Sequence, residues 1–223
     1  MADENKLNNY DLIVFDWDGT IMDSTGAIVA AIQASAVDLG LKQPDAELAS
    51  HVIGLGLRDA LEKALPELDP KDYPRLAERY RHHYLARDGD LLLFDGMAEL
   101  LAELKASHYW LAVATGKSRA GLDRALNGTQ LGALFDGSRC ADETHSKPHP
   151  QMLFDLMGRF GAEPARTLMI GDTTHDSQMA KNAGTHALSV TYGAHPHEDL
   201  LAIEPQGIVH SVPELSAWLQ NHG

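Results

Sequence analysis

Short apolar segments alternating with helix-like stretches constrain this chain more than any other feature. Five segments read as strands: 12–16 (LIVFD), 110–115 (WLAVAT), around 134–140 (LFDGSRC), 167–171 (TLMIG) and 186–191 (HALSVT). A sixth, weaker one is 207–210 (GIVH). All are rich in apolar or β-branched residues. Helical patterns at 97–107, 119–127, 149–161, 175–184 and 212–221 lie between most of them. Such alternation implies right-handed βαβ units and a parallel sheet with helices on both faces. Strands that are apolar throughout fit a sheet buried on both sides. The expected fold is therefore α/β, with a Rossmann-like core.

Residues 22–92 break the rhythm and hold no convincing strand. They read as helices at roughly 24–40, 45–52, 56–66 and 70–87. Gly54 and Gly56 punctuate the middle, and Pro66, Pro70 and Pro74 mark connections. A small all-helical domain over 22–92, inserted into an α/β core of 1–21 and 93–223, is the expected organisation, with hinges near 19–24 and 88–96. The length of 223 residues suits one domain with an insertion.

Charge narrows the function. With 18 Lys and Arg against 32 Asp and Glu, the net charge is −14. That argues against a broad surface for nucleic acid or acidic lipid, which needs clustered cations. It leaves room for a small anionic substrate, because a local cation can dominate the field inside a cleft. No run of eighteen apolar residues occurs, so no membrane span is expected, and the polar start MADENKLNNY carries no signal-peptide core. A cytoplasmic protein, acting as a monomer or homodimer, is the expectation. The lone Cys140 cannot form an internal disulfide and reads as a packing residue. His82-His83 and His195-Pro-His197 lack the ligand spacing of a zinc site.

Ligands of open parallel sheets bind outside the carboxyl ends of the strands. The first strand there delivers Asp16-Trp-Asp18-Gly19-Thr20, the second Thr115-Gly116-Lys117, and the 167–171 strand Gly171-Asp172-x-x-x-Asp176. Ser146-Lys147-Pro148 precedes a helix between them. Carboxylates and backbone carbonyls suit a hard cation such as Mg²⁺. A hydroxyl and an ammonium suit phosphate oxygens. One carboxylate can attack phosphorus, and another two residues along can protonate the leaving oxygen and then activate water. Read one at a time, each motif also has a structural explanation: Asp in GDxxxD suits a helix N-terminus, and a Lys before Pro suits a solvated loop.

Together the four motifs resemble those of the haloacid dehalogenase (HAD) superfamily, over nearly the whole chain, and the overall pattern looks like its phosphoglycolate phosphatase-like branch. The resemblance implies an α/β HAD core, a helical cap at 22–92, and Mg²⁺-dependent hydrolysis of a small phosphorylated metabolite. It implies Asp16 as nucleophile and metal ligand, and Asp18 as general acid/base with its backbone carbonyl on the metal. Gly19 and Thr20 would follow in the phosphate loop, with Gly116 beside them. Thr115 and Lys147 would hold the phosphoryl group, Lys147 also steadying Asp16. Asp172 would ligate the metal directly, and Asp176 from the inner or outer shell.

Rival readings stay within the same fold. A dehalogenase needs only the first acid, so Asp18 argues against it. A phosphonate hydrolase has Ala in the place of Asp18 and relies on a cap lysine, a role Lys63 or Lys71 would have to take without local support. A sugar-phosphate mutase of the β-phosphoglucomutase type uses both acids, but tends to carry Val at the place of Thr20 and a cap histidine that 21–31 lacks. A non-catalytic binding module would be expected to lose one of the acids. Within the cap, 53–60 (IGLGLRDA) could bring Arg58 to a substrate carboxylate, or could simply join two helices with Arg58 in solvent. Residues 22–25 are expected at the entrance, Lys117 as either a solvated charge or a ligand contact, and His145, His149 and His175 in solvent.

Overall fold

The computed structural model describes residues 9–223. Six strands form one sheet: β1 (Leu12–Phe15), β2 (Trp110–Thr115), β3 (Gly137–Cys140), β4 (Thr167–Gly171), β5 (His186–Val190) and β6 (Gly207–Val209). Their order is β3-β2-β1-β4-β5-β6, and every pairing is parallel. The order reverses beside β1, which places the ends of β1, β2 and β4 side by side at the crevice such sheets use for ligands.

The period-two alternation of side chains sorts the sheet into two faces. Ile13 and Phe15 join Leu111, Val113, Leu168 and Ile170 in a cluster with α5 (Met97–Ala106) and α10 (Val212–His222). Leu12 and Val14 join Ala112, Ala114 and Met169 against α7 (Gln151–Phe160) and α8 (Thr174–Ala183). The central strand β1 is apolar throughout because both faces of the sheet are covered there, whereas β3 at the edge (GSRC) is not.

Residues between β1 and β2 begin with α1 (Thr25–Asp38), α2 (Ala46–His51), α3 (Leu57–Ala64) and α4 (Tyr73–Leu85). These helices share a separate apolar cluster that includes Ile28, Ile32, Leu61 and Leu76. Helix α1 packs along α4 as the main contact of the group. The chain leaves and re-enters the sheet side through a small ladder: Met22 bridges Leu93, the Asp23 N–H donates to the Leu92 carbonyl at 2.9 Å, and the Phe94 N–H donates to the Ile21 carbonyl at 3.1 Å.

Three expectations are corrected. The third strand is only Gly137–Cys140, because Gly132–Leu134 forms a 3₁₀ turn. The expected helix at 70–87 is a 3₁₀ turn over Pro70–Asp72, with the Asp69 carboxylate accepting from the Lys71 N–H, followed by α4. A six-residue helix, α9 (His197–Ala202), follows Pro196 where the sequence gives no expectation of one. Its polar start hides so short an element from periodicity. Helix α6 (Arg119–Thr129) begins as anticipated, with Ser118 capping the Gly121 N–H.

Leu76 is fully buried in the helical cluster. Leu76→Ala is expected to cost about 2–5 kcal/mol of stability, read as a lower urea midpoint at unchanged slope.

Candidate active site

Asp16 follows β1 directly, and its N–H donates to the Ile170 carbonyl at 2.9 Å. Its Oδ1 accepts from the Trp17 N–H at 2.6 Å. The Lys147 ammonium lies 2.8 Å from the same oxygen and 2.7 Å from Asp176 Oδ1, with no exposure to water. These are ion pairs at contact distance without well-aligned hydrogen bonds, and Asp16 Oδ2 has no hydrogen-bond partner among the described residues. Asp172 is held from two sides: the Thr20 hydroxyl donates to Oδ1 and the Ala194 N–H to Oδ2, each at 2.7 Å. Asp176 uses its Oδ2 to accept from the Thr173 N–H and hydroxyl at 3.1 and 2.7 Å, capping α8, while Oδ1 faces Lys147. A cap role and a site role thus coexist in one carboxylate.

Asp16, Asp172 and Asp176 offer oxygens that all lie within 4.8 Å of one another, and all three are buried. Three carboxylates against one ammonium leave an excess of negative charge. Burial pushes the Asp172 carboxyl up to about 7, and the Asp176 charge adds to the effect. Burial also raises Asp16 well above the ordinary carboxylate range, opposed by Lys147. For Lys147, burial disfavours the charge, but Asp16 and Asp176 outweigh it and the ammonium's pKa is raised. A buried oxygen cluster with surplus charge and an unpartnered acceptor fits a hard divalent cation.

Gly19 makes this packing possible. It sits at φ +78°, and a Cβ there would fall 2.1 Å from Asp172 Oδ2. Gly116 does the same on the cap side, where a Cβ would fall 2.3 Å from the Leu55 carbonyl oxygen. Gly116 therefore seats the Gly54–Gly56 turn of the helical insertion over the strand ends. Thr115 is buried, and its hydroxyl oxygen accepts from the Lys117 N–H at 3.1 Å, so its proton remains free to donate.

A cavity of about 650 Å³ opens above these residues, between the sheet ends and the helical insertion. Asp16, Asp18, Gly116 and Lys117 line its floor, and Ile28, Ile53, Tyr73, Tyr80 and Tyr84 form part of its wall. Arg58 borders it, yet its side chain is 62% exposed, pairs with Glu62 at 2.8 Å and lies over the Tyr73 ring at 4.9 Å. The Asp18 carboxylate stands outside the three-acid cluster: its Oδ1 accepts from the Ser24 hydroxyl at 2.6 Å and from the Lys117 ammonium at 2.8 Å. Lys117 is thus no solvated charge.

Several neighbours escape sequence reasoning. Tyr84 meets the site through tertiary contact alone, whereas Ser24, within the stretch expected at the entrance, bonds Asp18 directly. Ala194 follows β5 at the same sheet edge, so the rule that exposes Asp172 also points to 192–195. His175 is not in solvent either: the ring nitrogens of His175 and His195 donate to the His51 carbonyl at 3.0 and 3.1 Å, and the His195 ring stacks on that of His51 at 4.4 Å. Burial pulls His195 down to about 4, helped by the neighbouring His175 and His51. Cys140 is buried, and burial pushes its thiol up to about 12, as a packing role requires.

Comparison with known proteins decides the kinship. The profile of the haloacid dehalogenase-like hydrolases matches residues 13–190. The chain belongs to that family. It is 40% identical to "Probable phosphatase IndB" of Dickeya dadantii over 92% of this chain and 91% of that protein. It is 30% identical to a phosphoglycolate phosphatase of Synechococcus elongatus over 91% and 94% of the two chains. The structure of a haloacid dehalogenase-like hydrolase from Streptococcus pneumoniae superposes with a TM-score of 0.81 at 27% identity, covering 95% of this chain and 99% of that one. The protein is therefore an enzyme, a hydrolase on the phosphatase side of the HAD family. No helix among the described residues is long and apolar enough to cross a membrane.

The raised carboxyls give a signed pH dependence. In the metal-free protein Asp172 binds its proton more tightly folded than unfolded, so its contribution is complete below its ordinary value of 3.8 and is lost as pH rises through about 7. Over that window the melting temperature measured in chelator is expected to fall more steeply in wild type than in Asp172→Asn. Added Mg²⁺ should raise it at neutral pH in wild type only. Equal slopes in the two proteins would refute this account of the cluster.

Proposed function

We propose that this HAD-family enzyme is a Mg²⁺-dependent phosphatase that hydrolyses a small phosphorylated metabolite through an aspartyl-phosphate on Asp16. The observation that carries the reading is the convergence, at the switch point of the sheet, of Asp16, a buried Lys147 and the three-acid cluster beneath one cavity. Asp16, Asp172, Asp176 and the Asp18 backbone carbonyl are the groups that would hold Mg²⁺. When bound, the ion supplies charge neutralisation at a phosphoryl oxygen.

The chain's own residues do the rest. Lys147 and the Thr115 hydroxyl bind phosphoryl oxygens, and Lys147 holds Asp16 in place and opposes the protonation that burial favours. A carboxylate oxygen of Asp16 attacks phosphorus as the ester P–O bond breaks, and Asp18 gives its proton to the departing oxygen. Asp18 then takes a proton from water, which attacks phosphorus, frees phosphate and restores Asp16. Gly19, Thr20 and Gly116 shape the phosphate pocket, with the Thr20 hydroxyl acting through Asp172. Residues 22–92 serve as the cap that covers the reaction and excludes water. The names of the relatives support 2-phosphoglycolate as one substrate to test. To meet its carboxylate, Arg58 would have to leave Glu62.

Phosphate release across a panel of phosphate esters, with Mg²⁺ and with chelator, tests the reading. Asp16→Asn should abolish turnover while the circular dichroism spectrum stays unchanged. Asp18→Asn should slow turnover about 10²–10⁴-fold and still bind the metal. Full activity in Asp16→Asn would remove the nucleophile assignment. Absence of release from every ester in wild type would turn attention to sugar-phosphate isomerisation.

A further inference from the structure

The Asp18 carboxylate is not left free at the cavity floor. Both of its contacts fall on Oδ1: the Ser24 hydroxyl at 2.6 Å and the Lys117 ammonium at 2.8 Å. Among the described residues none hydrogen-bonds Oδ2, which leaves that oxygen for the proton. Lys117 in turn donates to the Tyr84 hydroxyl at 2.9 Å and lies 4.7 Å from the centre of the Tyr84 ring. The side chains of Lys117 and Asp18 are 10% and 11% exposed. Tyr84 stands in the last turn of α4, whereas Lys117 follows β2 and is fixed there by two backbone bonds, from its N–H to Thr115 Oγ1 and from the Ala141 N–H to its carbonyl.

We infer that Lys117 is a positioning residue that joins the acid/base Asp18 to the cap through Tyr84, so that Asp18 is aimed only while α4 is seated over the site. The inference rests on the assignment of Asp18 as the acid/base. Nearly buried ion pairs contribute little net stability once desolvation is counted, whereas a hydrogen-bonded cation fixes a carboxylate in one rotamer. Burial keeps the Tyr84 phenol protonated, so it offers the lysine a neutral oxygen rather than a competing charge. A cap that lifts off removes Tyr84 from Lys117, and Asp18 loses the support of a fixed ammonium. Proton delivery is thereby tied to exclusion of water.

The test compares kcat/KM for phenyl phosphate and p-nitrophenyl phosphate in Mg²⁺. The two esters have nearly the same shape, but the nitrophenolate leaves readily without a proton. Lys117→Met should lower kcat/KM for phenyl phosphate up to about a hundredfold, and lower it much less for p-nitrophenyl phosphate. Lys117→Arg should recover part of the loss. Tyr84→Phe should show the same selectivity in a smaller loss, and it decides the matter if Lys117→Met does not fold. Equal losses on both esters would make the contact merely structural and overturn the inference. A raised KM with unchanged kcat would make Lys117 a substrate ligand and overturn it as well. Asp18→Asn is the reference: if it shows the selectivity and the Lys117 and Tyr84 variants do not, this inference alone fails. If Asp18→Asn shows none, the acid/base assignment itself fails.

Discussion

Lys147 lies wholly inside the protein, with Asp16 2.8 Å and Asp176 2.7 Å from its ammonium, and much of the site depends on that arrangement. Without the lysine, three buried carboxylates would crowd one another with no cation of the chain among them. With it, the cluster is tolerable, although burial, and to a lesser degree the neighbouring carboxylates, still raises the carboxyls of Asp16 and Asp172. A cluster left in that state is poised for a second, divalent charge. The lysine comes from the loop ahead of α7, Asp16 from the end of β1, and Asp176 from the first turn of α8. One ion-paired group therefore couples three segments far apart in sequence, and it can do so only because the sheet order brings their ends together.

The sheet edge carries two loads. Its strands bury both faces, so the apolar core fixes where each strand stops. Groups at and just beyond these stops meet at one edge: Asp16 after β1, the Thr115 end of β2, Asp172 after β4, and the turn at Ala194 after β5, whose N–H bonds Asp172. The same edge supports the helical insertion through the close approach of Gly116 to the Leu55 carbonyl and through the His51 carbonyl, which takes two histidine N–H bonds from the core side. Seating the insertion and building the site are thus one packing problem, which is why Lys117 can touch both Asp18 and Tyr84.

The sequence is most informative where a single element carries the signal. Strands β1, β2, β4 and β5 announce themselves by short runs dominated by apolar residues, and Asp16, Asp18, Asp172 and Asp176 by their distance from the strand ends. It is least informative where meaning arises only on folding. Lys117 reads equally as a solvated charge or a ligand contact, and what decides its enclosure includes Tyr84, 33 residues away. Thr20 reads as a phosphate-loop hydroxyl, but its proton goes to Asp172, 152 residues on. The third strand reads too long because Leu134 and Phe135 are apolar, although the chain turns there before entering the sheet. Helix α9 is hidden because six residues are too few for a periodic pattern.

The acidic surface and the anionic substrate are compatible because the charges are segregated by depth. The net charge of −14 belongs largely to exposed side chains, where water and salt screen it within about 10 Å. Inside the cavity the nearest ionised groups include Lys117, which is nearly buried, and Lys147 lies enclosed below the floor. Fields from enclosed charges are screened far less than those from the surface. An approaching phosphate ester is therefore repelled only weakly at long range, whereas inside it meets ammonium groups already paired with carboxylates, so net attraction there requires a cation that offsets the acid cluster. Removing water from the cavity would strengthen every ammonium–phosphate contact that the site offers.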